Sequence, residues 1–423
     1  MINSTGLATV DTRKSQRYTE KSVRRSAGYG EVMRTGRFLT KTWKNLMKIR
    51  FVQLALAALT ATLVSAAPAA SAQDIVLGQI APFTVIPVPD GAEVNQGIKA
   101  YLAQANKAGG VRGQKLSLLE LDDRYSAQGF AEQFAKAMEK KPVALISPVG
   151  SAALKGMLDN KLLDTADVVV VNAIPGAEAL RTPGHPRLFH IRAGDKQQIE
   201  KIVNHTHTLG MARLSVLYQD LPIGASGMNM AEQEAKRVGG MDIQGVKSAD
   251  TAAALTGASQ QIATQSAQGV LILGAPHFMA EGVASLRKAG VSQSLFTLSY
   301  VSAPLIVKLA GLAGARGVGI AQTYPNPNGK VSPLNRDFQT AMKATFPELT
   351  EYTSMQLEGY ISARTVVEGL KRSKDATPAG LAKALQTMGE LDLGGFRVDF
   401  SKGNIGSSFV DIGVISSDGH LRY

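Results

Sequence analysis

The sequence predicts an α/β protein built as two doubly wound, parallel-sheet lobes, and three observations predict it. From Asp74 onward, short runs rich in β-branched residues alternate with longer stretches of helical periodicity. The alternation restarts after Arg192-Ala193-Gly194 and gives a second unit of similar size. It then stops, and three helical patterns in succession precede a last pair of strands. Helices without strands of their own must pack on units already built.

Taken in order, Ile75–Ile80 reads as the first strand. Val94, Ile98, Tyr101, Leu102 and Ala105 fall at helical spacing until Gly109-Gly110 stops the helix. Lys115–Leu121 is a strand ending in Asp122-Asp123. Helix Ala127–Lys140, strand Val143–Ser147, helix Ala152–Leu163 and strand Val168–Asn172 complete the first unit. The second runs helix Lys196–Leu209, strand Leu214–Tyr218, helix Ala225–Val238, strand Asp242–Val246, helix Ala254–Ser266 and strand Gly269–Leu273. It ends with helix Phe278–Ala289 and strands Leu295–Ser299 and Gly317–Ala321. The tail holds helices Pro333–Phe346, Tyr352–Arg372 and Pro378–Met388, then strands Phe396–Phe400 and Phe409–Ser416.

The 423 residues carry a formal charge of +12, which raises the possibility of a nucleic-acid partner. Its distribution argues against one. Residues 1–50 hold 12 of the 46 Lys/Arg but only 3 of the 34 Asp/Glu, so the remainder is nearly neutral. Met47-Lys48-Ile49-Arg50, the uncharged run Phe51–Val64 and Ala70-Ser71-Ala72 form a secretory signal peptide over 47–72, cleaved after Ala72. A membrane-spanning helix is the competing reading, but crossing needs about 20 apolar residues and Pro68 interrupts this run. Residues 1–46 are polar, basic and aperiodic, and read as an extension outside the native protein. The chain has no cysteine, which excludes a cysteine-borne lipid anchor, disulfides and thiolate metal sites.

Ligands of doubly wound sheets bind outside the carboxyl ends of the strands. The candidate loops are therefore 81–89, 148–152, 173–176, 219–224, 275–277, 300–303 and 322–326. Enzyme signatures are missing: there is no Gly-x-Ser-x-Gly elbow, no phosphate loop and no complete Gly-x-Gly-x-x-Gly, since Gln322 stands where Gly317-Val318-Gly319 would need its third glycine. His205 and His207 would point to different faces of a helix, so they read as solvated rather than as metal ligands. Asp122-Asp123 read as solvated or capping carboxylates. The expectation is a binding protein without cofactor or metal, not an enzyme.

Asn106–Asp123 (NKAGGVRGQKLSLLELDD) resembles the segment after the first helix in branched-chain amino acid and related amide-binding periplasmic proteins. SPVGSAALKGML (Ser147–Leu158), VVVVNAIPGAEAL (Val168–Leu180), ILGAPHFMAEGVASLRKAG (Ile272–Gly290) and QLEGYISARTVVEGL (Gln356–Leu370) are similar to successive family segments in the same order. The resemblance covers essentially all of 73–423 and implies a type I periplasmic-binding fold with three hinge strands. Lobe 1 would comprise 73–193 and 323–395, and lobe 2 would comprise 194–322 and 396–423. It further implies a monomeric periplasmic component of an ABC transporter, with a small-molecule ligand, an inner-membrane permease as partner and no nucleic acid. A sensor that presents its closed form to a histidine kinase or chemoreceptor is the alternative.

Carried across residue by residue, the family site gives Ser151, at a helix N-terminus, as the anchor for a ligand carboxylate. It departs elsewhere. Pro175 stands where amino-acid binders place a threonine, Tyr300 aligns with the acid that meets the ligand ammonium, and Ile223 aligns with an aromatic residue, as does Ala275 or Pro276. Phe83, Ile174, Pro175, Ile223 and Tyr300 then imply an apolar wall, and the strand-end loops add Ala152, Ala173, Asp220, Pro276, His277, Gln322 and Tyr324. An ammonium without a carboxylate partner is costly to desolvate. The expected ligand is therefore an apolar or aromatic small acid; a branched-chain amino acid or amide requires Asp220 or a backbone carbonyl to replace the missing acid.

Overall fold

Strands β1 (Ile75–Ala81), β2 (Leu116–Asp122), β3 (Ala144–Ile146), β4 (Val169–Val171) and β5 (Leu188–Phe189) form one parallel sheet in the order β2-β1-β3-β4-β5. The computed structural model describes residues 73–84 and 90–423; the extension and signal peptide read over 1–72 lie outside the described residues. Helices α1 (Asp90–Lys107), α2 (Ala127–Glu139), α3 (Ser151–Asp159) and α4 (Leu162–Thr165) wind this sheet. All but one residue of β1 is buried, as a strand covered on both faces requires, and this is why its sequence reads as a nearly continuous apolar run.

The second lobe repeats the plan. Its helices are α5 (Asp195–Thr208), α6 (Pro222–Val238), α7 (Ala252–Ala263), α8 (Pro276–Lys288) and α9 (Ala303–Ala315). Strands β6 (Arg213–Gln219), β7 (Asp242–Ser248), β8 (Gly269–Leu273), β9 (Ser294–Thr297) and β10 (Gly319–Gln322) run parallel in the order β7-β6-β8-β9-β10, the same winding as the first sheet.

Helices α10 (Pro333–Thr345), α11 (Ser354–Arg372) and α12 (Pro378–Thr387) return to the first lobe, where Phe338, Leu357, Tyr360, Ile361 and Leu381 share a core with Leu77, Ile98 and Ile146. Their starts are written in the sequence. The hydroxyls of Ser332, Thr353 and Thr377 cap the three helices, and Thr353 forms a reciprocal capping box with Gln356. The chain then forms a ribbon of β11 (Leu391–Asp392) and β12 (Arg397–Val398). It ends in β13 (Asp411–Ile415), antiparallel to β10, and β14 (Leu421–Arg422). No helix among the described residues is long and apolar enough to cross a membrane.

Several local expectations are corrected. The helix expected over 152–163 is two helices, because Lys161 takes a left-handed conformation (φ 53°) between them. Strand β5 and helix α9 were not anticipated; α9 is apolar nearly throughout, mixing leucines with alanines and glycines, and Gly311 (φ 69°) breaks its periodicity. Residues 396–400, expected in the second lobe, belong to the first. Phe396, Val398 and Phe400 lie in the first core, where Phe400 meets Phe189 edge to face at 5.1 Å and Phe396 packs on Tyr324 at 5.3 Å. The last crossing therefore comes after Gly406, whose N–H donates to the His190 carbonyl (2.7 Å), and before Val410 packs against the second core.

Candidate functional site

In both sheets the winding reverses direction beside the first strand, between β1 and β3 and between β6 and β8, and ligands of such sheets bind at the carboxyl ends beside that point. Backbone strain gathers there. Arg124 and Tyr125 after β2, Ser147 after β3 and Asn172 after β4 are non-glycine residues with φ of 52°, 54°, 49° and 62°. Such conformations persist only where the surroundings enforce them, and they concentrate at working sites.

On the first lobe's wall, Ser151 is exposed and opens α3, whose N-cap Gly150 has no side chain to bond the first-turn N–H groups. Ala152 is exposed beside it. Unpaired amides at a helix start favour an anion. The Tyr125 ring lies next to Gly150, within 3.8 Å of where a Cβ would stand, and is 49% exposed; the sequence reading overlooked it. Phe83 is half-buried, and its N–H donates to Asp122 (3.0 Å). The neighbouring acids differ in kind. Burial pushes Asp122 up but is outweighed by hydrogen bonds from Thr84, Phe83 and Arg124, which hold its carboxyl below the usual range. Asp123, expected to be a solvated or capping carboxylate, accepts from the Tyr125 N–H (2.9 Å) but is fully buried, and burial lifts it to about 6.

On the second lobe's wall, buried Gln219 links the two switch-point loops: its Oε1 accepts from the Ala275 N–H (2.7 Å) and its Nε2 donates to Asp250 (3.3 Å). Ile223 and Pro276 are half-buried at the starts of α6 and α8. Asp220 is exposed and paired with Lys247 at 3.3 Å. His277 is exposed, 3.8 Å from Glu281, and with Asp250 these residues bring one metal-ligating atom each within 4.8 Å of one another. His205 is not simply solvated as expected: its ring meets Phe296 edge to face, and burial lowers its pKa.

The remaining candidates sit at the hinge. Ala173, Ile174 and Tyr324 are packed into the first lobe's cores, and Pro175 is half-buried. Buried Gln322 accepts from Ser354 (2.8 Å) and Tyr423 (3.1 Å), so its amide oxygen ties elements together. Tyr300 reaches back to the first crossing, where its hydroxyl donates to Asp195 (2.5 Å) and accepts from the Gly176 N–H (2.8 Å). Burial and the Asp195 carboxylate drive its pKa far above the phenol range. A side chain at position 176 would collide with both groups.

Behind this contact lies a buried polar network that the sequence reading did not identify. The Asn172 amide donates to Ser362 (2.8 Å), Glu358 (3.0 Å) and Tyr324 (3.1 Å), and its oxygen accepts from the N–H groups of Ile191 and Arg192. Arg192 is ion-paired with Glu358, donates to Ser299 (2.5 Å) and lies 5.0 Å from the Tyr300 ring centroid. Burial raises Glu358 while Arg192 opposes it. The signal was a glutamate in the middle of an apolar helix pattern and an arginine between Ile191 and Ala193.

A family model described as periplasmic binding protein matches residues 74–417. The chain belongs to the periplasmic binding protein family and has its type I fold. An extracellular ligand-binding receptor from Verminephrobacter eiseniae is 62% identical, with a TM-score of 0.80 over 83% of this chain and all of that one. A substrate-binding periplasmic protein from Ralstonia solanacearum is 26% identical, with a TM-score of 0.74 over 82% of this chain and 99% of that one. A leucine-binding protein from Thermotoga maritima shares the fold at 16% identity, with a TM-score of 0.70 over 82% and 97%. Family and neighbours are solute-binding proteins, not enzymes. No curated protein matches the sequence.

Proposed function

We propose that the chain is the periplasmic solute-binding component of an ABC transporter, and that it closes on a small apolar or aromatic carboxylate. The leader over 47–72 would be removed after Ala72, and the mature protein would deliver its ligand to an inner-membrane permease. The observation that carries the ligand class is Tyr300. It occupies the position that the family resemblance gives to the ammonium-binding acid, and its hydroxyl is engaged by Asp195 and Gly176. Asp220, the other acid considered for that role, is exposed and paired with Lys247. Ser151 and the open amides of α3 supply the carboxylate anchor, and Phe83, Tyr125, Pro175, Ile223 and Pro276 supply apolar surface.

The test is a thermal-shift screen of residues 73–423, refolded free of carried-over ligand, against amino acids, aromatic acids, dicarboxylates, amides and short peptides. Saturation at one hundred times Kd stabilises the native state by about 2.7 kcal/mol. An aromatic or apolar acid is expected to give the largest shift, with Ser151→Ala lowering its affinity about tenfold, the loss of about 1.4 kcal/mol of anion binding. A larger shift with leucine would reject this ligand class.

A further inference from the structure

Three metal-ligating side chains meet at the carboxyl edge of the second sheet: Asp250 in the loop after β7, and His277 and Glu281 in the first turns of α8. Each offers one ligand atom, and the three atoms lie within 4.8 Å of one another. On the helix side the reason is local. Pro276 opens α8, and His277 and Glu281, four residues apart, share a face on which His277 Nε2 stands 3.8 Å from Glu281 Oε1. Asp250 is set against that face by buried Gln219. This amide donates from Nε2 to Asp250 Oδ2 (3.3 Å) and accepts the Ala275 N–H at Oε1 (2.7 Å), so one side chain fixes the loop after β7 relative to the start of α8. Metal-binding carboxylates are oriented by such a neighbouring donor, and the bond to Oδ2 leaves Oδ1 for a cation.

The cluster is open to a cation. The side chains of His277 and Glu281 are 49% and 36% exposed, and Asp250 is exposed as well. Two carboxylates stand against one imidazole, and among the described residues no lysine or arginine pairs with either acid. The donor set decides the class of metal. An imidazole nitrogen with two carboxylate oxygens suits zinc, whereas magnesium and calcium take oxygen donors. Zinc bonds of about 2.0–2.1 Å put neighbouring ligand atoms about 3.3 Å apart in a tetrahedron. From a spread of up to 4.8 Å, exposed side chains need only swing inwards.

We propose that Asp250, His277 and Glu281 bind one zinc ion, with the fourth tetrahedral position open to water or an incoming anion. When occupied, the site ties the loop after β7 to α8, two segments of the second lobe at the edge where doubly wound sheets receive ligands. It places a positive charge on that lobe, whereas the carboxylate anchor at Ser151 belongs to the first. The site stands whatever the identity of the cleft ligand.

Titration calorimetry of the full chain, stripped of metal by a chelator, with zinc chloride at neutral pH tests this, with magnesium chloride as the control. Zinc is expected to give a saturable heat, one ion per chain, and a raised melting temperature; magnesium should give neither. His277→Ala should weaken zinc binding about a hundredfold, and Glu281→Gln or Asp250→Asn about tenfold. Because His277 is half exposed, His277→Ala should melt like the parent in the absence of metal. His420→Ala, which removes the histidine beside Asp418 and Glu351, should leave zinc binding unchanged. No saturable heat, or binding undiminished in His277→Ala, or binding lost in His420→Ala instead, would overturn the site. Magnesium bound as tightly as zinc would overturn the class of metal.

Discussion

Arg192 and Glu358 are 1% and 0% exposed, and their burial is offset by each other, by Asn172, Ser299 and Tyr324, and by the Tyr300 ring. Removing one partner leaves a buried, uncompensated charge. Arg192→Met is expected to cost about 3–5 kcal/mol in urea unfolding, whereas Arg192→Met with Glu358→Gln should regain much of that loss. His190 makes a pH prediction. Burial, reinforced by Arg181, depresses its pKa to about 3, while the unfolded imidazole titrates near 6.5. Below about 6.5 the unfolded state binds a proton that the native state refuses, so stability falls as the pH drops towards 3, by up to about 1.4 kcal/mol per unit. Asp123 acts in the opposite sense. With its pKa raised by burial to about 6 from 3.8, the native state keeps a proton that the unfolded state releases, and stability is lost as pH rises through that window. Denaturant midpoints between pH 4 and 7 should flatten on the acid side in His190→Gln and rise at neutral pH in Asp123→Asn.

At the scale of elements, α1 and α11 meet backbone to backbone. A Cβ at Gly97 would overlap the Gln356 carbonyl, and one at Gly359 would overlap that of Val94. Gly97→Ala or Gly359→Ala should therefore cost about 3 kcal/mol or more by calorimetry. Gly156→Ala in α3, where a Cβ would meet nothing within 4 Å, should stabilise by about 0.5–1 kcal/mol. Neither contact was legible in the sequence, since helical periodicity names the buried face but not its partner. Strands such as β6 and β8 and capped helices such as α11 were legible, because burial on both faces and a Thr-x-x-Gln start leave local marks. Helix α9 was not, because a segment apolar on nearly every face and broken at Gly311 leaves no stripe to follow. The site divided in the same way. Strand-end loops could be listed from the winding, whereas Tyr125, Asp195 and Asn172 take their significance from left-handed backbone or from partners far along the chain.

For the whole molecule, the contact of Tyr300 with Gly176 is one of those that join the two lobes beside their crossings. Gly176→Ala must displace Tyr300, and solution scattering with and without cleft ligand should show a larger radius of gyration for this variant in the ligand-saturated state; an unchanged radius would show that the lobes come together without this contact. The two lobes also differ in how they are spread along the chain. The five parallel strands of the second lobe lie within residues 213–322, while α1, near the start of the first lobe, is covered by α10 and α11 from residues 333–372. During synthesis the lobe that begins first therefore waits for α10 and α11 until after the five parallel strands of the second have emerged. Until those helices emerge, Val94, Ile98, Tyr101 and Leu102 lack part of their cover, and that transiently exposed apolar surface makes the nascent first lobe the aggregation-prone part of the chain.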